Sequence, residues 1–270
     1  VVVGDSGTIL TSIDANSWTL GSSETTYNHN GIAFGKNTFV VVGDGGSIIT
    51  SSDGSSWTTQ TSGTTRNLNR ITFANDTFVA LGDSGTIVMS SDGSLWGLKT
   101  SGTSQNLYGI TFGNNIFVAV GSGTVLTSSD GSSWTSRTSS ISDKILGIVY
   151  GNDKFVATDF EGDLMTSSDG IIWNSETASG ISRSLVDVTF GNITFVIVCN
   201  DGDIATSING TSWIARTSGT SRNLYGVNYA INTFVAVGES GTLLTSSNGT
   251  SWTTRVSNTS NLLNDVTYSE

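Results

Sequence analysis

A short stretch that recurs along the chain sets the strongest limit on its fold. Thr-Ser-Ser-Asp-Gly-Ser-Ser-Trp occupies 50–57 and 127–134, and close variants occupy 89–96, 166–173 and 245–252. Two more divergent copies end in the same residue, and the steps between closing tryptophans are 39, 39, 38, 39, 40 and 39 residues. The tryptophans are Trp18, Trp57, Trp96, Trp134, Trp173, Trp213 and Trp252. A period of this length predicts one supersecondary unit used seven times.

Each unit has the pattern of four short strands. In 68–99, the segments LNRITFA, FVALG, TIVMS and LWGLK are rich in β-branched and aromatic residues, and NDT, DSG and SDGS separate them. Short apolar segments bounded by turn residues are typical of strands and hairpins, and no segment shows helical spacing of useful length. We therefore predict a four-stranded antiparallel sheet in each unit.

The second strand indicates how the units pack. FVVVG at 39–43, FVALG at 78–82 and FVAVG at 117–121 and 234–238 are apolar at successive positions, as in a strand covered on both faces. Sheets arranged in a ring cover each other in this way. The sequence predicts an all-β, seven-bladed β-propeller that occupies 1–270 as a single domain, with the tryptophans packed between blades.

The two ends of the chain predict how the ring closes. Residues 1–4 align with 235–238 in strand two, whereas 261–270 align with strand one of the other units. The C-terminal strand is therefore expected to pair with the N-terminal strands in a shared blade. Both ends fall at the same turn, and we expect the chain to be part of a longer protein.

The recurring hairpin resembles the Asp-box, or BNR, repeat of sialidase-type propellers. Ser51, Asp53, Gly54 and Trp57 match that motif, with one residue fewer between the acid and the aromatic than in the commoner form. Uncharacterised bacterial surface propellers are similar throughout the chain, and photosystem II assembly factors and sortilin-type receptors are similar in architecture. The acid is interpreted as a structural acceptor in a tight turn, because asparagine replaces it twice. These structural positions are Asp14, Asp53, Asp92, Asp130, Asp169, Asn209 and Asn248, each with its tryptophan.

Composition excludes several classes of partner. The net charge is −11 with only 11 lysines and arginines, which argues against nucleic acid and anionic membranes. No apolar segment is long enough to span a membrane. Low charge, many small polar residues and the absence of proline favour an extracellular or cell-surface setting, in a bacterium. Cys199 follows a buried strand and is expected to be a packed side chain.

The chain offers little material for catalysis. His29 is the only histidine, so a Ser-His-Asp triad or a histidine metal site has one candidate member. A sialidase would need three converging arginines, whereas Arg66, Arg183 and Arg222 occupy equivalent positions in separate units. We expect no enzyme, cofactor or metal site. Glycoside hydrolysis of the sialidase or Asp-box glucanase type is the alternative, and Ca²⁺ at Asp159, Glu161 and Asp163 or at Asp201 and Asp203 is a second one.

Positions that differ between units are the candidates for binding. They cluster in the links between units and at the start of strand one, and we expect these links to share one face with the turns after strand two. The ligand-binding candidates are Tyr27, His29, Arg66, Gln105, Tyr108, Asp143, Phe160, Arg183, Arg222, Tyr225 and Asn261. The predicted function is a non-catalytic extracellular module. It is expected either to bind carbohydrate as a lectin does or to contact a protein partner or further copies of itself as a structural subunit.

Overall fold

The structure is a computed structural model that describes residues 1–139, 141, 143–177 and 184–269. Its strands are short, and turns connect most of them. In chain order they are β1 Val2–Gly4, β2 Thr8–Thr11, β3 Thr19–Ser22, β4 His29–Gly35, β5 Thr38–Gly43, β6 Ile48–Ser51, β7 Thr58–Gln60, β8 Leu68–Ala74, β9 Thr77–Gly82, β10 Ile87–Ser90, β11 Gly97–Lys99, β12 Leu107–Gly113, β13 Ile116–Gly121, β14 Thr124–Ser128, β15 Thr135–Arg137, β16 Ile145–Gly151, β17 Lys154–Asp159, β18 Asp163–Ser167, β19 Asn174–Thr177, β20 Leu185–Gly191, β21 Thr194–Cys199, β22 Ile204–Ser207, β23 Ile214–Arg216, β24 Leu224–Ala230, β25 Thr233–Gly238, β26 Leu243–Ser246, β27 Thr253–Thr254 and β28 Leu263–Val266.

These strands form seven separate antiparallel sheets of four strands each. The predicted all-β, seven-bladed propeller is confirmed. We number the blades by their tryptophans, so that blade 1 contains Trp18 and blade 7 contains Trp252. Strand one of each blade lies nearest the ring axis and strand four lies at the outer edge. Among the described residues, no helix is long and apolar enough to cross a membrane.

The two ends of the chain complete blade 1, as predicted. Its strand order is β28-β1-β2-β3, so the C-terminal strand is strand one of the sheet that the N-terminal strands continue. Val2 pairs with Val266, and the Val1 nitrogen donates a hydrogen bond of 2.7 Å to the Thr267 carbonyl. Backbone pairing between the ends therefore closes the ring.

Burial is concentrated between blades. Among the described residues, seven clusters of buried side chains occur, and each joins two neighbouring blades. Between blades 2 and 3, for example, Val40 and Val42 pack with Leu68, Ile71 and Phe78. Because strand two is covered on both sides, its side chains are apolar at successive positions. The clusters make each blade depend on the two beside it.

The ring has two ends that differ in their connections. The turns between strands two and three and the links between blades lie at one end, which we call the upper face. The Asp44 N–H donates to the Asn28 carbonyl, and the Gly45 N–H donates to the Asn67 side-chain oxygen, so this turn is bonded to the links on both sides of blade 2. The turns between strands one and two and the Asp-Gly hairpins between strands three and four lie at the other end, the lower face.

The hairpin at 51–57 illustrates how the recurring sequence folds. Asp53 Oδ1 accepts hydrogen bonds from the backbone N–H groups of Ser56 (2.8 Å) and Ser55 (2.7 Å) and from the Ser51 hydroxyl (2.9 Å). These bonds lower the pKa of Asp53 to about 2. Gly54 has φ of +73°, which a residue without Cβ adopts readily, and its carbonyl accepts from Trp57 Nε1. Asn209 accepts equivalent backbone bonds in blade 6, so the turn needs an acceptor and not a charge.

This geometry predicts the effect of substitutions at Asp53. Asp53→Asn keeps the acceptor oxygen and should leave the thermal midpoint close to that of wild type. Asp53→Ala leaves two turn N–H groups without their acceptor and should lower the midpoint by about 2–4 °C. Thermal unfolding followed by circular dichroism at neutral pH compares the two variants. Equal midpoints for both variants would contradict the acceptor role.

Candidate functional site

Strand one of every blade carries a β-bulge close to the upper face. In blade 2, His29 pairs with Gly43 and Gly31 pairs with Val42, so Asn30 is the additional residue. A bulge interrupts the alternation of a strand and redirects the side chain at that point. The seven bulge residues are half-buried and surround the ring axis, and we call them the bulge ring. They are Asn30, Asn69, Tyr108, Leu146, Val186, Tyr225 and Asn264.

The three asparagines of the bulge ring connect neighbouring blades. Asn30 Nδ2 donates to Asp44 Oδ1 at 3.0 Å and to the Leu68 carbonyl of the next blade at 3.1 Å. Asn69 and Asn264 make the equivalent pair of bonds in blades 3 and 1. These amides and the turn acids that they contact therefore join blades 1 to 4 on the upper face.

The other four bulge residues lie on the consecutive blades 4, 5, 6 and 7. They are Tyr108, Leu146, Val186 and Tyr225, and we call them the upper crescent. All four are partly accessible, and their side chains present mainly carbon atoms. The crescent therefore places an apolar and aromatic surface on one side of the ring axis, opposite the asparagines.

Charged and aromatic side chains border the crescent. Lys144 Nζ lies 5.3 Å from the centroid of the Tyr108 ring, close enough for a cation–π contact. Asp143 is exposed beside Lys144, and the Phe160 side chain is 48% exposed in the turn of blade 5. An exposed phenylalanine beside a partly exposed crescent extends the apolar surface towards the outside of the ring.

The remaining link residues lie on the same face and are exposed. The backbone N–H of each donates to the hydroxyl of the threonine two residues earlier, which holds the link in the same conformation in each case. The Arg66 guanidinium donates to Ser84 Oγ, and Asn261 Nδ2 donates to Thr8 Oγ1. Arg183 is outside the described residues. The residues that share this link position are Tyr27, Arg66, Gln105, Arg222 and Asn261.

His29 differs from the other candidates because its side chain is buried. It is 1% exposed, and neither ring nitrogen has a hydrogen-bond partner. Leucine or isoleucine fills the equivalent position in every other blade, as Leu68 does in blade 3. Burial lowers the pKa of His29 to about 4, so the ring is neutral at physiological pH. His29 is thus enclosed among the blades and does not face the upper surface.

Cys199 is also enclosed. It is fully buried at the end of β21, and burial together with the nearby Asp203 carboxylate raises the pKa of its thiol to about 12. A thiol in this state is not a nucleophile at neutral pH.

Below the bulge ring, three charged side chains meet across the ring axis. Arg70 Nη2 lies 2.5 Å from Asp187 Oδ1, and Arg70 Nη1 lies 3.1 Å from Asp265 Oδ1. The three residues belong to blades 3, 6 and 1, so they join blades that are not neighbours. The second oxygens of Asp187 and Asp265 accept from the backbone N–H groups of Val227 and Ile32. We call Arg70, Asp187 and Asp265 the axial triad.

Burial determines the electrostatics of the axial triad. The side chains are only 16%, 5% and 10% exposed for Arg70, Asp187 and Asp265. Burial disfavours the Arg70 charge, but the two carboxylates outweigh this effect and raise its pKa. Burial raises the pKa of Asp265 as well, although Arg70 opposes that effect. Two acids therefore share one cation in a weakly hydrated position.

Asp159, one of the acids considered for Ca²⁺ binding, is hydrogen-bonded within its own turn. Asp159 is 1% exposed, and its Oδ1 accepts from the backbone N–H groups of Glu161 (3.0 Å) and Asp163 (2.7 Å). Burial raises its pKa, whereas these hydrogen bonds act in the opposite direction. Within the ranges that the structure describes, no group of three or more histidine, cysteine, aspartate or glutamate side chains is arranged to hold a metal ion.

A cavity away from the bulge ring is lined by a different set of residues. Its volume is about 780 Å³, and it lies on the lower face where blades 7, 1 and 2 meet. Trp18, Phe39 and Ile231 line it together with residues at both chain ends. The predicted binding residues of the upper face do not contribute to it.

The chain matches no protein-family model, and it matches no curated protein either. It is similar to solved propellers. A structure of YCF48 bound to a D1 peptide is 18% identical, with 91% of this chain and 86% of that chain covered and a TM-score of 0.72. A streptogramin B lyase is 11% identical, and the match covers 94% of this chain and 84% of the lyase chain with a TM-score of 0.76. The similarity is one of fold.

A third structure adds a chemical comparison. It is a virginiamycin B lyase from Staphylococcus aureus with quinupristin, in which replacement of a histidine by alanine gives a protein described as catalytically inactive. It is 11% identical to this chain, and the match covers 94% of this chain and 86% of the lyase chain with a TM-score of 0.75. The propeller fold thus occurs both in a protein solved with a bound peptide and in lyases.

Replacement of Arg70 in the axial triad by an uncharged residue should destabilise the ring. Arg70→Met leaves Asp187 and Asp265 buried without a counter-charge and is expected to lower the free energy of unfolding by about 3–5 kcal/mol. Arg66→Met, at an exposed site on the upper face, is the control and should change the free energy of unfolding by less than about 0.5 kcal/mol. Urea unfolding at neutral pH measures both. A loss below about 1 kcal/mol for Arg70→Met would contradict the assigned role.

His29 should make the protein less stable in acid. Its pKa is about 4 in the folded protein against a usual 6.5, so between these values the unfolded chain binds more protons. Stability should therefore fall as the pH drops from 6.5 to 4, by about 2–3 kcal/mol. His29→Leu should be more stable than wild type at neutral pH, because it removes an unpaired polar group. The difference between the two proteins should widen towards pH 4, and a constant difference in urea unfolding across that range would contradict this account.

Proposed function

We propose that the protein is a non-catalytic binding module that holds a segment of polypeptide across the upper crescent. The observation that carries this proposal is the division of the bulge ring. Three asparagines use their amides to join blades 1 to 4, whereas Tyr108, Leu146, Val186 and Tyr225 leave apolar surface accessible on blades 4 to 7. Accessible aromatic and aliphatic side chains in a concave ring favour binding of apolar side chains.

The surroundings of the crescent favour a polypeptide as the ligand. Lys144 and Arg222 are exposed cations near it, and Asp143, Glu161 and Glu239 are exposed anions. A mixed border of this kind offers ion pairs and hydrogen bonds to the charged side chains and the backbone of a peptide. The structure of YCF48 with a D1 peptide supports the proposal by example, since that protein has the same fold.

The buried reactive groups favour a role without catalysis. His29 is the only histidine and its nitrogens are enclosed, and Cys199 is a buried thiol with a raised pKa. The histidine on which the comparison lyase is described as depending therefore has no accessible counterpart in this chain. Glycoside hydrolysis stays an alternative that turnover of a chromogenic glycoside would reveal.

Sugar binding is the second candidate, and one contact weighs against it. Lys144 lies over the Tyr108 ring, on a face that a sugar would use for stacking. The extracellular or cell-surface bacterial setting, with a protein partner or a larger assembly, is part of our proposal and rests on the composition of the surface.

A peptide display library tests the proposal directly. The immobilised propeller should enrich peptides with aromatic or aliphatic residues, and Tyr108→Ser combined with Tyr225→Ser should weaken their binding by about tenfold or more. Asn115→Ser, in a lower-face turn, is the matched control and should bind as wild type does. A glycan array run in parallel distinguishes the alternatives.

Two results would overturn the proposal. One is that the enriched peptides bind equally well to the double variant, which would remove the crescent as the site. The other is selective, saturable glycan binding without any peptide enrichment, which would identify a lectin. Thermal unfolding of the variants ensures that a loss of binding reflects the surface and not the fold.

A further inference from the structure

The cavity on the lower face, which we call the lower cavity, has walls that are rich in apolar and aromatic side chains. Trp18, Phe39, Val235 and Tyr268 all line it. Its volume of about 780 Å³ is that of a pocket able to hold a side chain or a small ligand. No residue of the upper crescent contributes to it. The lower cavity is therefore separate from the surface proposed above for peptide binding.

The other blades show which chemical group fits this place. In blades 3 to 7, the phenylalanine of strand two lies 6.2–6.5 Å from the tryptophan of its blade, measured between ring centroids. It lies 4.5–4.7 Å from the aromatic residue of strand one. In blade 7 these partners of Phe234 are Trp252 and Tyr229. Trp18 and Tyr268 are their counterparts in blade 1, and both line the lower cavity. The space between them thus has the surroundings of a phenylalanine ring.

Side chains on both flanks of the lower cavity are less covered than their counterparts in the rest of the ring. Phe39 of blade 2 is 6% exposed, whereas the five equivalent phenylalanines are 0% exposed. Val235 of blade 7 is 8% exposed, whereas its five counterparts are 0% exposed. Contact with an apolar group would remove this surface from water. The equivalent residues are Phe78, Phe117, Phe155, Phe195 and Phe234, and Val40, Val79, Val118, Val156 and Val196.

Two isoleucines line the lower cavity at positions that are polar in most blades. Ile231 is exposed in the turn between strands one and two, where blades 2 to 6 have lysine or asparagine. Its φ of +48° is unfavourable for a β-branched residue. Ile13 is exposed in the hairpin of blade 1, where five of the other six hairpins have serine. Exposed apolar side chains around an apolar cavity are typical of a surface that contacts another protein.

Two carboxylates border the lower cavity. Asp14 and Asp53 line it, and hydrogen bonds from the backbone of their own turns lower the pKa of both, so they are ionised at neutral pH. Neither has an ion-pair partner among the described residues. Lys154 shows how far a lysine next to a buried ring extends. It precedes Phe155, and its Nζ donates to the Asn209 carbonyl of the next hairpin at 2.9 Å. Asp53 is the counterpart of Asn209 beside the lower cavity.

We propose that the lower cavity docks a segment of a separate polypeptide through a phenylalanine side chain that has a lysine or arginine beside it. The ring enters between Trp18 and Tyr268, and the cation pairs with Asp53. Ile13 and Ile231 contact the rest of the segment at the mouth. An enclosed aromatic anchor with charged groups at the rim is a common arrangement in protein interfaces. This site does not depend on the function proposed for the upper crescent.

Titration with the peptide acetyl-Lys-Phe-Lys-amide tests the proposal on the wild-type protein. Nuclear magnetic resonance should show saturable shifts in the Trp18 indole N–H and in the Val235 methyl groups. Acetyl-Lys-Ala-Lys-amide lacks the ring and should give no saturable shift at these groups. Acetyl-Glu-Phe-Glu-amide keeps the ring and should bind about threefold more weakly or worse, because its charges have the same sign as those of Asp14 and Asp53.

Two matched variants test the pairing with Asp53. Asp53→Asn keeps the acceptor oxygen that the hairpin needs and removes the charge, so it should weaken binding of acetyl-Lys-Phe-Lys-amide by about threefold. Asp130→Asn makes the same change in the hairpin of blade 4, away from the lower cavity, and should leave the affinity as in wild type. Thermal unfolding checks that both variants are folded. Equal affinity in the two variants would contradict the pairing.

A chain extended by one phenylalanine directly before Val1 is a blocking control. Val1 is the counterpart of Val235, which follows Phe234, so the added ring should occupy the lower cavity. The extended chain should therefore no longer bind the peptide. If it binds as wild type does, the lower cavity is not the site.

Three further results would overturn the proposal. The first is that the phenylalanine and alanine peptides give the same shifts, or that neither gives a saturable shift. The second is that the extended chain gains thermal stability while the wild-type chain binds no peptide, since the lower cavity would then accept a ring only from its own chain. The third is that the shifts map to Tyr108 and Tyr225, which would place the peptide on the upper crescent and leave the proposed function standing.

Discussion

The close approach of the seven innermost strands is the constraint on which the rest of the structure depends. At the residue after each bulge, four blades have glycine. A Cβ added to Gly31 would lie 3.0 Å from Arg70 Cα in the next blade, so these strands leave almost no room for side chains between them. Each member of the axial triad is followed by glycine at the same position of the next blade. Arg70 precedes Gly109, Asp187 precedes Gly226 and Asp265 precedes Gly31 around the ring.

The same packing explains why the upper face is divided into two parts. Blades 1 to 3 use the bulge residue to bond the next blade, through asparagine, a turn aspartate and a backbone carbonyl. Blades 4 to 7 have other residues at this position, and apolar clusters between these blades contribute to their cohesion. Tyrosine, leucine and valine are then left partly accessible near the ring axis. The surface that we propose for binding is thus the part of the ring where the bulge residue does not carry an asparagine bridge.

The repeat made much of the fold predictable. The spacing of the tryptophans predicted the number of blades, and the alternation of short apolar segments with turn residues predicted the strands. The alignment of the two chain ends with the repeat predicted that β28 closes the ring. Comparison of the units also picked out Tyr108 and Tyr225 as variable. It did not reveal that they are bulge residues, because a bulge depends on the register between two strands. His29 lies in the same variable stretch, yet its side chain is enclosed, since the strand turns it towards the neighbouring blade.

The axial triad was missed, although the sequence contains a signal for it. At one position of strand one, four units have glycine and the others have one arginine and two aspartates. Opposite charges in place of glycine at a buried position indicate a contact, but only a closed ring brings residues 70, 187 and 265 together.

By itself, the sequence determined the unit, its strands and turns, and the number of units, because these depend on local periodicity and turn chemistry. The tertiary structure decided which side chains meet across the axis, which bulge residues stay accessible and which candidates are buried. Those properties depend on the curvature of the closed ring, which brings into contact residues more than a hundred positions apart.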